Sequence, residues 1–158
     1  MTTADTTPAR ATPIDEQLCF AMVSASRAMT ACYRQGLEDL GLTYSQYAVM
    51  LVLWEQEAVT MGSLCEQLRL DSGTLSPLLK RLEKQGLLTR RRRPEDERTL
   101  EIALSAEGIA LRDQARGVQR DVELATGMSG AELTALREQL TGLDARLRTA
   151  TAARESRV

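Results

Sequence analysis

Eight basic side chains crowd into residues 80–98 (Lys80, Arg81, Lys84, Arg90, Arg91, Arg92, Arg93 and Arg98), against four acidic ones, a local charge of +4 that leaves −6 for the rest of a chain whose net charge is −2. A cationic run of this density is the electrostatic footprint that phosphates require. By charge alone it reads first as a solvated loop, and only its place among the surrounding elements separates the two readings. The second chemically able set is three thiols, Cys19, Cys32 and Cys65. They cannot all pair within one chain, and without CxxC spacing they do not form a zinc site. The sequence has no His and no Asn, which removes His-based triads, Cys-His dyads and most transition-metal sites. No cofactor and no metal is expected.

The elements that must position these groups are mainly helical. Leu, Ala, Glu, Gln and Arg dominate, and aromatics are 3%. The absence of any apolar run near 18 residues argues against a membrane span, and the Thr/Ala/Pro-rich start does not resemble a secretory signal, so the expected compartment is the cytoplasm. Residues 1–11 are expected to be a disordered tail. Thr12-Pro13-Ile14-Asp15 reads as a helix start, and Ile14, Leu18, Met22, Ala25, Met29, Cys32 and Leu40 keep helical spacing to a stop at Gly41. A helix of that length in so small a chain suggests a spine that also touches another subunit, so residues 12–41 are assigned to dimerisation. Thr43-Tyr44-Ser45-Gln46 is a capping box opening a second, nearly all-apolar helix.

Residues 43–104 are read as the DNA-binding domain. Thr60 opens a short helix with Met61, Leu64, Cys65 and Leu68 inward. After a turn at Arg69-Leu70, Asp71 caps another with Leu75, Leu78, Leu79 and Leu82 inward. If Asp71 is the cap, Pro77 falls in the second turn at the cost of one hydrogen bond, which leaves open a bend or a later start. Gly86 stops that helix. Residues 88–92 and 99–104 read as two strands around a polar loop, 93–98. Residues 105–150 carry two more helices, broken between Gly127 and Gly130. In the last, Leu133, Leu136, Leu140, Leu143 and Leu147 step 3, 4, 3, 4. This is a heptad seam, which fits either a packing on its own domain or, favoured by the small core, a dimer interface together with Ile14 and Leu18.

Helix, turn, helix and hairpin in that order make a winged helix-turn-helix with long N- and C-terminal dimerisation helices. The outer face of the second helix carries Ser72, Gly73, Thr74, Ser76 and Lys80, small and hydroxyl side chains that let a helix approach base edges. Lys80, Arg81 and Lys84 can follow the phosphate backbone, and Arg90 and Arg92 are counted with the DNA-binding residues. Arg98 at the ribbon tip suits a minor groove, and a fork-shaped salt bridge from Asp96 would orient it.

Residues 15–104 resemble the MarR family of bacterial transcriptional regulators. The wing, Glu95-Asp96-Glu97-Arg98 followed by Thr99-Leu100-Glu101-Ile102-Ala103-Leu104-Ser105, looks like that family's signature. Asp15-Glu16-Gln17-Leu18-Cys19-Phe20, Gly41-Leu42-Thr43-Tyr44-Ser45-Gln46-Tyr47, Leu53-Trp54-Glu55 and the run from Leu70 to Glu83 are similar to its OhrR branch of organic hydroperoxide sensors. The last two helices match in pattern only. The resemblance implies a homodimer on double-stranded DNA bearing an inverted repeat, acting as a repressor until oxidised. It also implies that Cys19 is the reactive thiol, with Tyr33 and Tyr44 as its hydrogen-bonding partners.

Read from the residues alone, Cys19 is a mixed case. It lies off the strongest apolar stripe. Yet it sits about two turns into the predicted helix, too deep for the macrodipole, and Asp15 and Glu16 oppose a thiolate. Tyr33, fourteen residues on, is about 21 Å away along one helix, so it reaches a Cys19 only across a dimer. Cys32 is about 20 Å from Cys19, beyond the roughly 7 Å limit for a disulfide, and with Cys65 it reads as core. Residues 105–158 contain no Cys, so the chain looks like the branch's single-cysteine type. Organic hydroperoxide and a low-molecular-weight thiol that caps a sulfenic acid are then its inducers. Two alternatives remain: a MarR-type repressor answering a small ligand in the dimer crevice, and a thiol peroxidase, against which the missing His weighs.

Overall fold

The computed structural model describes residues 12–93 and 96–156, without the side chains of Arg93 and Glu97. The expected tail at 1–11 and part of the expected wing tip, Pro94-Glu95, lie outside the described residues. The chain divides after Gln119 into two compact units.

The first unit opens on a 3-10 turn, Ile14–Glu16, followed by α1, Leu18–Asp39. Gln17 between them is extended (φ −79°, ψ 117°) and caps α1, and its side-chain amide donates to the Thr12 carbonyl at 3.0 Å. The continuous helix expected from residue 12 is therefore two pieces. Apolar periodicity runs through a one-residue break without registering it.

After Gly41 (φ +68°), α2 spans Tyr44–Gln56. The capping box forms as expected, with Thr43 Oγ1 accepting from the Gln46 N–H and Gln46 Oε1 from the Thr43 N–H. Tyr47, Val49, Met50, Leu53 and Trp54 are buried. The Trp54 indole donates to the Gly108 carbonyl at 2.7 Å, tying α2 to a later helix.

Three residues, Ala58–Thr60, form β1, a strand too short for any periodicity to reveal. Thr60 then caps α3, Met61–Leu68. The turn is made by Arg69, held left-handed at φ +55°. Asp71 caps α4, Ser72–Lys84, which keeps Pro77 inside it, so of the two starts left open the earlier one is taken.

Strands β2, Leu88–Arg93, and β3, Asp96–Leu104, pair antiparallel, and β1 adds to the other edge, giving the order β1-β3-β2. Pairing runs further than the 93–98 loop expected: past an irregularity at Arg92/Arg93 it ends on Arg93↔Asp96. Ile102 is fully buried, with Leu100 and Leu104 packed against the core. Ser105 caps α5, Ala106–Ala110, and α6, Arg112–Ala125, follows. A Cβ on Gly108 would collide with the Leu87 carbonyl oxygen, so only glycine lets α5 lie this close to the sheet.

The second unit ends in α7, Gly130–Glu155, opened by a Ser129/Glu132 capping box. It runs past Ala150, where fraying was expected. Leu136, Leu140 and Leu147 are exposed, and Leu133 and Leu143 half-buried. Among the described residues no helix is long and apolar enough to cross a membrane.

Candidate nucleic-acid interface and thiol site

The outer face of α4 follows from its inner one. Leu75, Leu79 and Leu82 are fully buried, so Ser72, Thr74, Lys80 and Arg81 are turned to solvent and Ser76 to the margin. The helix head is held by Asp71, whose carboxylate accepts from the Thr74 amide at 2.8 Å and the Thr74 hydroxyl at 2.9 Å. These bonds keep the Asp71 carboxyl below its ordinary range. A Cβ on Gly73 would stand 3.0 Å from Asp71 Oδ1, so the absence of a side chain here protects the cap. Arg81 and Lys84 close the last turn, where cations oppose the helix's negative end.

The wing's cations divide. Arg90 donates to Glu83 of α4 through Nε at 2.9 Å, Nη2 at 2.6 Å and its own backbone amide at 3.2 Å. The guanidinium hydrogen bonds hold the Glu83 carboxyl below its ordinary range. This pair fixes the wing against the recognition helix, a role the spacing of 83 and 90 across a glycine stop did not disclose. Arg92 and Arg98 are exposed. Asp96 reaches Arg98 through its backbone: Oδ1 accepts from the Arg98 amide at 3.1 Å while Oδ2 takes the Thr99 hydroxyl at 2.6 Å. The carboxylate thus shapes the chain at Arg98, where a fork to the guanidinium was expected.

Cys19 is exposed and is the second residue of α1. It is not two turns deep, because the helix proper begins at Leu18. It therefore lies at the end where unsatisfied amides and the macrodipole favour negative charge. Beside it runs an open groove of about 540 Å³ walled by Ile14, Phe20, Val23 and Arg27.

Tyr33 and Tyr44 come together, ring centroids 5.2 Å apart, and Tyr47 joins them at 5.6 and 6.2 Å. All three tyrosines of the chain thus form one cluster. Tyr47 is the member of the cluster that is fully buried in the core. Tyr44 is 43% exposed and opens onto a second groove with Thr30 and Arg34. Cys19 and Tyr33 remain fourteen positions apart on one continuous helix, about 21 Å.

Cys65 packs against the core as expected, but Cys32 is exposed. Along this stretch of α1, Leu18, Phe20, Met22, Val23 and Met29 are exposed too, so among the described residues of the first unit the apolar side chains beside Cys32 are left open. A cavity between Trp54, Tyr47, Arg112 and Arg116 has about 180 Å³, short of the roughly 300 Å³ at which drug-sized ligand sites begin.

The sequence model of the family described as transcriptional regulator SarA/Rot matches residues 31–114. The organic hydroperoxide resistance transcriptional regulator of Bacillus subtilis is 43% identical over 127 residues, covering 80% of this chain and 86% of that one. Reduced AbfR bound to DNA is similar with a TM-score of 0.71 at 34% identity, covering 85% of this chain and 94% of that one, as is overoxidised AbfR bound to DNA. The disulfide-formed state of AbfR, a Staphylococcus epidermidis protein, gives 0.59 at 33% identity, covering 85% and 90%.

Proposed function

The chain belongs to the MarR/SarA family of transcriptional regulators, and from that premise we propose that it is a homodimeric, cytoplasmic repressor released from an inverted-repeat operator when organic hydroperoxide oxidises Cys19. The observation that carries this reading is the exposed Cys19 at the head of α1, beside a groove with apolar walls and on a helix whose apolar stripe its own chain leaves open. Two copies crossing antiparallel along α1 cover that stripe and bring Tyr33 and Tyr44 of the second copy to each Cys19. The exposed leucines of α7 supply the rest of the contact.

The chemistry is a two-step thiol switch. Cys19 Sγ, as thiolate, attacks the terminal peroxide oxygen, and the O–O bond breaks. The alkoxide leaves and takes a proton, giving an alcohol and, at Cys19, a sulfenic acid. A low-molecular-weight thiol then condenses with the sulfenic acid, forming a mixed disulfide and releasing water. The tyrosine hydroxyls donate to the sulfur and hold it for attack. The bulk of the cap is what the dimer must accommodate. Overoxidised AbfR is bound to DNA, and the present chain is less like that protein's disulfide-formed state than its DNA-bound ones. On the DNA side, Ser72, Thr74 and Ser76 read base edges, Lys80, Arg81 and Arg92 follow phosphates, and Arg98 enters the minor groove with its backbone set by Asp96. Arg90 works through the wing's position.

The test is intact mass after one equivalent of cumene hydroperoxide plus cysteine. A single cysteine adduct, absent from Cys19→Ser, is expected. An internal or intersubunit disulfide in its place contradicts the reading.

A further inference from the structure

We propose that Gln85, at the end of the recognition helix, is the positioning residue that couples the head of α2, where Tyr44 sits, to the orientation of α4. The inference rests on the thiol-switch reading above and names the route by which that switch reaches DNA.

Gln85 is the C-cap of α4, its backbone amide donating to the Arg81 carbonyl at 3.0 Å. Its side chain crosses to the α1–α2 turn. There Nε2 donates to the Gly41 carbonyl at 2.7 Å, and Oε1 accepts from Gln46 Nε2 at 3.4 Å. The orientation of both amides is set from the ends. The Thr43 N–H needs an acceptor and finds Gln46 Oε1 at 2.8 Å, which turns the Gln46 amino group toward Gln85. The Gly41 carbonyl needs a donor, which turns the Gln85 oxygen toward Gln46. Gln46 is only 4% exposed, so water is a poor replacement for the partner it would lose.

Tyr44 lies between these anchors. Gly41 is three residues before it and Gln46 two after, and one side chain from α4 holds both. A displacement of Tyr44, as when a cap on the partner copy's Cys19 displaces its hydroxyl, pulls on Gln85 through its bonds to Gly41 and Gln46 and so moves the end of the helix that enters the major groove. Without those bonds the pull is not passed on. Coupling of this kind needs a physical connection between two elements that each site biases, and this is the bridge that meets it on both flanks of Tyr44.

The experiment measures operator affinity of the reduced protein and of the protein capped with cumene hydroperoxide plus cysteine, for wild type, Gln85→Leu and Gln85→Glu. A purely structural role would weaken both forms alike. The coupling role predicts that Gln85→Leu binds the operator in its reduced form within about threefold of wild type and acquires the Cys19 adduct at the same rate. Its affinity loss on capping shrinks by at least about fivefold, the low end of what allosteric coupling is worth. Gln85→Glu keeps the acceptor for Gln46 but loses the donor to Gly41, so it falls between, and it serves if the leucine variant does not fold. An unchanged ratio of capped to reduced affinity in the folded variants overturns the role of Gln85 alone. A wild type that takes the adduct and stays on DNA overturns the thiol-switch reading and this inference together.

Discussion

The winged lobe and the terminal helices use their apolar residues in opposite ways. In the lobe, Leu64, Leu75, Leu79, Leu82 and Ile102 are completely buried by their own chain. In α1 and α7, Leu18, Phe20, Met29, Leu136, Leu140 and Leu147 are 41–63% exposed. A DNA-reading surface must hold its shape before it meets DNA, so its core is finished within one chain. In the dimer proposed above, a second copy finishes the other surface. The lesson is that the thiol sits on the exposed part, where, under that proposal, a small chemical change acts on how two chains meet.

Substitutions should therefore sort by lobe. Leu79→Ala opens a cavity under the recognition helix and should cost about 2–5 kcal/mol in thermal or urea unfolding. A loss under 1 kcal/mol would mean that α4 is not seated as described. Leu140→Glu should leave the lobe's fold intact by circular dichroism yet weaken self-association about a hundredfold or more in sedimentation, because two-fold symmetry inserts the charge twice. An unaltered dimer would move the interface away from α7. Arg98→Ala should lose about 1–3 kcal/mol of operator binding without changing thermal stability, with the salt dependence separating groove entry from simple phosphate contact. Asp71→Ala removes the α4 cap and should lower the thermal unfolding midpoint by about 2–4 °C.

The smallest effect is in pH. Asp71, Glu83 and Glu132 all have carboxyls held low by hydrogen bonds, from Thr74, Arg90 and Ser129 respectively. Their contribution is present in full above the ordinary carboxylate range. It is lost as pH falls below that range through the lowered folded values. Acid titration of the unfolding midpoint should show this decline below about pH 4.5, smaller in Arg90→Met, where Glu83 returns toward its ordinary value.

Much of the lobe was legible because its signals are local. Thr43 with Gln46, Thr60, Asp71 and Ser105 each announce a helix start within four residues, and leucines at helical spacing give the inward face. What stayed hidden depends on partners far along the chain or outside it. The Glu83–Arg90 pair and the Gln85 bridge to Gly41 join elements whose approach no periodicity encodes. The break at Gln17 hides within an unbroken apolar rhythm, and it changes the site most, moving Cys19 to the helix head. Cys32 was read as core from its stripe, but a stripe states only that something covers it. The tyrosine pair came from resemblance, and the clustering with Tyr47 from the fold.

Retention of an inverted-repeat operator, with and without cumene hydroperoxide and cysteine, in wild type and Cys19→Ser, probes the thiol switch most directly. Both reduced proteins should hold the DNA and only wild type should let go. Release of Cys19→Ser to the same extent, or retention by a fully capped wild type, would contradict a switch seated at Cys19.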